Sequence, residues 1–550
     1  GRRIFPAAPE RSLLLTKATN ETPHGGGSKI NKGSLDYQLI HSWISQGMPY
    51  GEKDDPVLEE VSVFPAQRVM DMRGEQQLVV TAKYSDGSLR DVTRSSIFEV
   101  NDEEVGEIDL NGHVKSFDQP GDLGVMIRFQ SKVAVFRAIV PLGAPVDHLP
   151  PPANYIDKHI FTKLKAVGMP PSENSTDSTF IRRVSLDITG RLPTVEETKT
   201  FLADEDPAKR DKLIDRLLDS PEYAEFFANK WSALLRNKRT KTSYQRGNFA
   251  FHGWIRDSLD RNKPYDQFVR EVVAASGEVE QHPPVAWYRE VKTVQNQLED
   301  VSQLFLGTRI QCAQCHHHPF EKWSQEDYYK LSAFFSQVGR EKTRFPDEDM
   351  IFHKRGTAKA TNKKNNQPVQ PAGLGAESPE LMLDDDPRHA LVDWMSQKNN
   401  PFFAHTLVNR YWKHFFGRGL VDPEDDMRET NPSVNPELLE ELASSFVANK
   451  FDMKQLIRDI TRSKTYQLSS IPNDYNVKDK HNFARHYPQR LQAEVLLDSI
   501  DDLTEVRTGF SGLPPGTRAT MLPDNSYNNG SSWRRGGEGE IEEGEEEEEG

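Results

Sequence analysis

The 550-residue sequence predicts a multidomain protein, mainly α-helical, with one all-β sandwich domain. Three observations carry this. The chain exceeds what one ordinary core organises. Residues 57–142 form short β-rich runs separated by turn pairs. From 152 onward the apolar period changes to that of a helix, with capping residues at the expected offsets.

The elements follow in chain order. Residues 1–52 form a short first segment ending in LDYQLIHSWISQG. This sequence puts Leu39, Ile40, Trp43 and Ile44 on one helix face and Gly47 at its C-cap. Ahead of it PHGGGS is a loop with His24 among glycines. The runs VSVFPAQRVMDM, QQLVVTAKYSDGSLRDVT, GEIDLNGHVKSF and KVAVFRAIVP turn at Asp86-Gly87 and Asn111-Gly112, the texture of a β-sandwich over 57–142. A Pro-rich linker closes it.

Helices dominate 152–340. NYIDKHIFTKLKAVG stops at Gly168, and LPTVEETKTFL carries a capping box of Thr194 and Glu197. Pro221 restarts a helix, another spans 291–306, and Ser324 is the N-cap of the next. Residues 341–380 read as an irregular excursion. A second helical domain, 381–510, starts from Asp386-Pro387 and Asn400-Pro401, each a cap followed by proline at the first helical position. Residues 511–550 are an irregular acidic tail. No internal repeat occurs.

The net charge of −15 is concentrated at this end: nine glutamates lie in 537–550, leaving −6 for the rest. That balance argues against a nucleic-acid binder, which needs a basic face, and the glutamate run is expected to stay solvated. Mean hydropathy is −0.70, and no apolar run reaches the roughly 18 residues of a membrane helix. GRRIFPAAPE lacks the apolar core of a signal peptide, so the reading is of an export signal removed earlier or a start inside a longer precursor.

Both cysteines of the chain stand in QCAQCHHHPF, 311–320. Cys312-Ala313-Gln314-Cys315-His316 has the C-x-x-C-H spacing of covalent haem attachment. Two thiols three apart meet the two vinyl groups, and the following histidine serves as axial ligand. A zinc site completed by His316–His318, a dithiol redox pair and a purely structural thiol pair are the other readings. The dithiol reading is disfavoured because the motif follows a helix, not a strand. His318 is expected to pack near Pro319 and His317 to face solvent.

No distal ligand stands out. His405 and His414 fall on opposite faces of one helix, His414 reads as a packed histidine, and Met395 and Met427 read as core fillers. DPEDDMRE, 422–429, lacks calcium-loop spacing and reads as an arginine-paired loop. No nucleophile elbow, phosphate-binding glycine loop or zinc-protease motif is present. No substrate-directed catalytic constellation emerges, so a redox carrier is favoured over a hydrolase.

Specific segments carry a family resemblance. NYIDKHIFTKL, RRVSLDITGRLPTVEE and VSQLFLGTRIQCAQCHHHPFEKWSQEDYYKLSAFF resemble planctomycete cytochrome-c-like domains of unknown function. NPFFAHTLVNRYWKHFFGRGLVDPEDDMRETNPSVNPELLEELASSF and PQRLQAEVLLDSI resemble the domain that follows them. YSDGSLRDVTRSSIFEVNDEEVGEIDLNGHV resembles a group 2 bacterial Ig-like domain, and 1–52 resembles the second half of a c-type cytochrome domain.

The resemblance implies an exported multidomain c-type cytochrome, periplasmic or at the cell surface, with covalent haem c at Cys312, Cys315 and His316. It further implies a second haem attached upstream of this chain, with His24 as its distal ligand. Its partners would be an unidentified redox protein and a surface or glycan contacted through the Ig-like domain, with room for oligomers. The alternative is a cell-surface structural or glycan-associated protein in which the C-x-x-C-H segment is a metal or structural staple. The family pattern also continues past TRATMLPDN, where this chain turns acidic.

Overall fold

The computed structural model describes residues 3–52, 54–316 and 321–527. They divide into two units, one of 1–60 with 82–90, the other of 61–81 and the described chain from 91 onward. Helices predominate and the β structure is in small sheets. No helix among the described residues is long and apolar enough to cross a membrane.

In the first unit, Leu13–Ala18 and Leu35–Ser45 are helices. Ser34 caps the second by accepting from the Tyr37 amide at 3.3 Å, and Gly47 ends it at φ 83°. Its apolar face is only partly used: Ile44 is buried, whereas Leu39 and Trp43 are exposed. The Asp86-Gly87 turn forms as expected, with the Ser88 amide donating to Asp86 Oδ1 at 2.9 Å and Gly87 left-handed at φ 80°.

In the second unit, Lys132–Val140 pairs antiparallel with Gly121–Phe129 and parallel with Gln67–Val69. Ile97–Val100 closes the other edge, giving four strands. The register sets Phe136 opposite Val125 and Ala138 opposite Leu123, all four buried, so the alternation of these strands selects one inner face. Glu75–Gln77, His113–Ser116 and Gly106–Ile108 make a sheet of three. The Asn111-Gly112 pair supplies the turn between the last two, with Gly112 at φ 78°.

The helices carry the main core. Tyr155–Val167 starts at Asn154, whose Oδ1 accepts from the Ile156 amide, and stops at left-handed Gly168. Thr194 and Glu197 form the expected capping box, and Ser324 forms another with Asp327. One apolar cluster runs from Ile156 to Val495, with Trp231, Trp287 and Trp412 fully enclosed. The segments on either side of 341–380 share it.

That excursion is not wholly irregular. Val338–Lys342 pairs with Asp349–His353 and Ala360–Asn362 with Gln367–Val369. Asp347 at φ 66° and Asn366 at φ 55° lie in the turns between the paired strands, a conformation that Asp and Asn tolerate. Asn400-Pro401 also works differently from a cap with proline at the first helical position. The helix begins at Phe403, and Asn400 Oδ1 accepts from the Phe402 and Phe403 amides, leaving Pro401 outside.

The start of the C-terminal segment is docked, not a tail. Asp498 accepts from the amides of Ala519 and Thr520 and from the Thr520 hydroxyl. Tyr527 donates to Asn248 Oδ1 at 3.2 Å. The glutamate run lies outside the described residues.

Candidate functional site

The C-x-x-C-H segment begins where the helix Val294–Phe305 ends. Gly307 turns the chain at φ 60°, and a Cβ there would lie 2.4 Å from Met427 Cγ, so this reversal requires glycine. Ile310 is buried and anchors the entry. Gln311–Gln314 then form a 3-10 turn whose one buried residue, Ala313, points into the core.

Because a 3-10 helix has three residues per turn, side chains at i and i+3 eclipse. Cys312 lies in the turn and Cys315 caps it, so both thiols are presented on one side. Both are exposed and free. The Cys315 amide closes on the Cys312 carbonyl at 3.5 Å.

The following helix, Gln325–Ser332, holds the turn in place. Gln325 Nε2 donates to the Gln314 carbonyl at 2.7 Å, and the Tyr329 hydroxyl donates to the same oxygen at 3.4 Å. Burial, with the Cys315 sulfur nearby, pushes the Tyr329 phenol up. Tyr328 donates to Glu299 at 2.9 Å, and its phenol is likewise held protonated by burial and that carboxylate.

His316 is exposed at the position after Cys315. His317, His318, Pro319 and Phe320 lie outside the described residues, so the expected packing of His318 and exposure of His317 do too. Trp323, Tyr328, Phe334 and Phe335, the other aromatic residues near the motif, are already enclosed in the helical core.

Glu321, just beyond the motif, is buried with its carboxyl pushed up to about 7, first by burial and then by Glu429. Sequence reading passes over it, because nothing in the local pattern distinguishes a buried glutamate from an exposed one.

For haem, the donor set of this chain fits in kind. Two reduced thiols share one open face on a backbone held by side-chain hydrogen bonds, and an accessible imidazole comes next in sequence. Among the described residues no group of three or more His, Cys, Asp or Glu is arranged to hold a metal ion.

His24 belongs to the first unit, in the glycine loop. Its Nδ1 is buried without a hydrogen-bond partner, and a side chain at Gly26 would meet its Nε2 at 2.7 Å. His405 and His414, the other histidines considered as ligands, are engaged elsewhere. His405 Nε2 contacts Glu440 at 2.9 Å, while His414 Nε2 donates to the Asp187 carbonyl at 2.7 Å and packs edge-on to Phe227. Met395 is a core residue.

The acidic loop is neutralised by cations. Asp425 binds Arg309 at 2.6 Å, Asp426 contacts Arg428, and Asp422 and Glu424 share Lys413.

These two helical segments are also what comparison picks out. No curated protein matches the chain. Residues 155–340, which include the cysteine motif, match the family model PSCyt2, described as a protein of unknown function (DUF1549). Residues 387–535 match PSD1, likewise described as a protein of unknown function (DUF1553). The chain is thus similar over its two helical segments to two planctomycete-type domains of unknown function.

Proposed function

We propose that this chain is part of an exported c-type cytochrome that carries electrons, with haem attached through Cys312 and Cys315 and His316 as axial ligand. One observation supports it above the others: the only two cysteines are free, exposed and eclipsed on one anchored 3-10 turn, with an exposed histidine next. A bound haem would supply a one-electron couple. The residues of the chain would hold its point of attachment. Ala313 and Ile310 pin the turn from below, and Gln325 and Tyr329 hold its last carbonyl, so the thiols keep a common orientation.

In the same reading 1–52 is a partial cytochrome-c-like segment with His24 turned to a second haem attached upstream. Residues 57–142 are an Ig-like module of the group 2 type that contacts a surface or glycan. The periplasm or cell surface is the compartment where covalent haem attachment takes place.

Intact mass of native protein tests this. The expected result is an excess of one haem per motif present, with Soret absorption that survives denaturation. Cys312→Ala with Cys315→Ala should remove the adduct, and His316→Ala should change the iron spectrum while retaining mass. Native protein with titratable thiols, or with zinc in place of haem, would refute haem attachment and favour a structural staple. Residues 55–145 expressed alone should give a β-rich circular-dichroism spectrum; a helical or unfolded one would remove the module boundary.

A further inference from the structure

A second polar site lies away from the cysteine motif, in a cavity of about 460 Å³ within the helical body. That volume suits a small organic ligand. The cavity is built from both family-matched segments. The helices Asp177–Thr189 and Pro221–Leu234 give Arg182, Asp187 and Lys230; the helix Phe403–Phe416 and the stretch 486–495 give His414, His486 and Arg490.

Cations outnumber carboxylates on the cavity wall. Arg182, Lys230 and Arg490 make no salt bridge among the described residues, although Lys230 lies 4.5 Å over the Phe226 ring. Arg183 also lines the wall, but its guanidinium is committed to the Tyr466 and Leu468 carbonyls at 2.6 and 2.9 Å and has a structural task. Asp187 is the only carboxylate on the wall; it accepts from the Tyr466 hydroxyl at 2.6 Å and lies within coulombic reach of Arg183, Lys230 and Arg182, which outnumber it.

His486 gives the independent sign of a ligand. It is 8% exposed, and its Nδ1 is buried with no hydrogen-bond partner. A buried ring nitrogen without a partner is costly unless something satisfies it. Burial holds this imidazole neutral, lowering it to about 3, and burial also lowers Lys230 to about 8. Asp187 and Glu494 lie within coulombic reach of Lys230, but neither forms a salt bridge with it.

We infer that this cavity binds a small anionic ligand, whose carboxylate, sulfate or phosphate group is held by Arg182, Arg490 and Lys230 while His486 hydrogen-bonds its polar body. Leu186, Phe226 and Val495 make the apolar part of the wall. Since the two segments each give half of the polar groups, the site exists only when they are folded against each other.

The test uses the full chain at low ionic strength. Glucuronate, inorganic sulfate and inorganic phosphate are titrated by calorimetry, with chloride as control. Saturable one-to-one binding of at least one probe, absent with chloride, is expected. The responding probe separates a carboxylate ligand from a sulfate or phosphate ester. Arg182 and Arg490 are exposed, so the R182A/R490A double variant should fold as the parent does and bind at least tenfold more weakly. His486→Phe should weaken binding without changing the charge. No saturable binding by any probe, or equal affinity in the double variant, would overturn the assignment.

Discussion

Asp157 offers a test of what joins the two helical segments. It lies in the first turn of the Tyr155–Val167 helix and is 0% exposed. Its Oδ2 accepts from the amides of Ala153 and Lys464 at 2.8 and 2.9 Å. Its Oδ1 accepts from the Thr465 amide at 2.9 Å and the Thr465 hydroxyl at 2.7 Å. Four donors thus converge on one carboxylate, and three of them come from residues more than 300 positions away. The neighbouring contacts follow the same seam: Asn154 Nδ2 donates to the Asp459 carbonyl and the Tyr155 hydroxyl to Asp459 Oδ2.

Asp157→Ala leaves three amides and a hydroxyl without an acceptor; the two Thr465 donors are buried, those of Ala153 and Lys464 part-buried. Each such donor costs about 1–3 kcal/mol, and relaxation or an entering water recovers part of the sum. Four donors lost at the low end of that range give a net loss on the order of 4 kcal/mol. Asp157→Asn keeps the shape but turns an NH2 toward at least one N–H, and should cost about 2–3 kcal/mol. Hydrogen exchange reads this locally. A loss near 4 kcal/mol at about 1.4 kcal/mol per decade corresponds to roughly 10³-fold faster exchange at the Lys464 and Thr465 amides. If these amides exchange within threefold of the parent rate in both variants, the carboxylate does not hold the seam and the reasoning fails.

Two further perturbations follow from single positions. Gly190 ends the Asp177–Thr189 helix at φ 63°, and a Cβ there would lie 2.5 Å from Phe226 Cδ2. Gly190→Ala should therefore cost about 2–3 kcal/mol from overpacking and left-handed strain together, seen as a lower urea midpoint; an unchanged midpoint would contradict the packing. His252 is buried against the Ser232 hydroxyl at 2.9 Å, and burial lowers its folded value to about 4. Its contribution to stability is complete above the unfolded value near 6.5 and is lost as pH falls toward 4. It therefore removes about 2 kcal/mol between pH 7 and pH 5. His252→Asn should flatten the acid limb of the denaturation curve by that amount, and an identical limb would show that this histidine does not titrate against folding.

What the sequence discloses depends on how far apart the deciding groups stand. The capping box at Thr194 and Glu197, the glycine stops at Gly168 and Gly417 and the turn at Asp86-Gly87 are decided within a few residues, and each forms where local chemistry puts it. The short hairpin of Val338–Lys342 and Asp349–His353 is different. Arg340 crosses to the Tyr288 and Val291 carbonyls at 2.9 Å, and the Ile351 and Gly277 backbones bond to each other, so distant chain helps order it. The docking of 511–527 depends in the same way on Asp498, Arg239 and Asn248. Residues 422–429 are legible as a neutralised loop because Arg428 lies inside them, although Arg309 and Lys413 come from elsewhere.

The two sites of the helical body divide along the same line. The cysteine motif puts all its chemistry into five consecutive residues, and the fold adds only orientation: eclipsed thiols on one 3-10 turn, held by Gln325 and Tyr329. Its spacing is recognisable in the order of the residues alone. The cavity takes Asp187, Lys230, His414, His486 and Arg490 from segments up to about 300 residues apart, and each looks ordinary where it stands. His414 reads as a packed histidine, which it is, yet the group it packs beside is the carbonyl of Asp187, whose carboxylate lines that cavity. Burial pushes the Asp187 carboxyl up to about 6, Lys230 down to about 8 and His486 to about 3. None of these shifts can be read from the local sequence, since each arises first from burial in the folded body. A site of that kind becomes visible only after the long-range seam that Asp157 and Arg183 help to hold has formed.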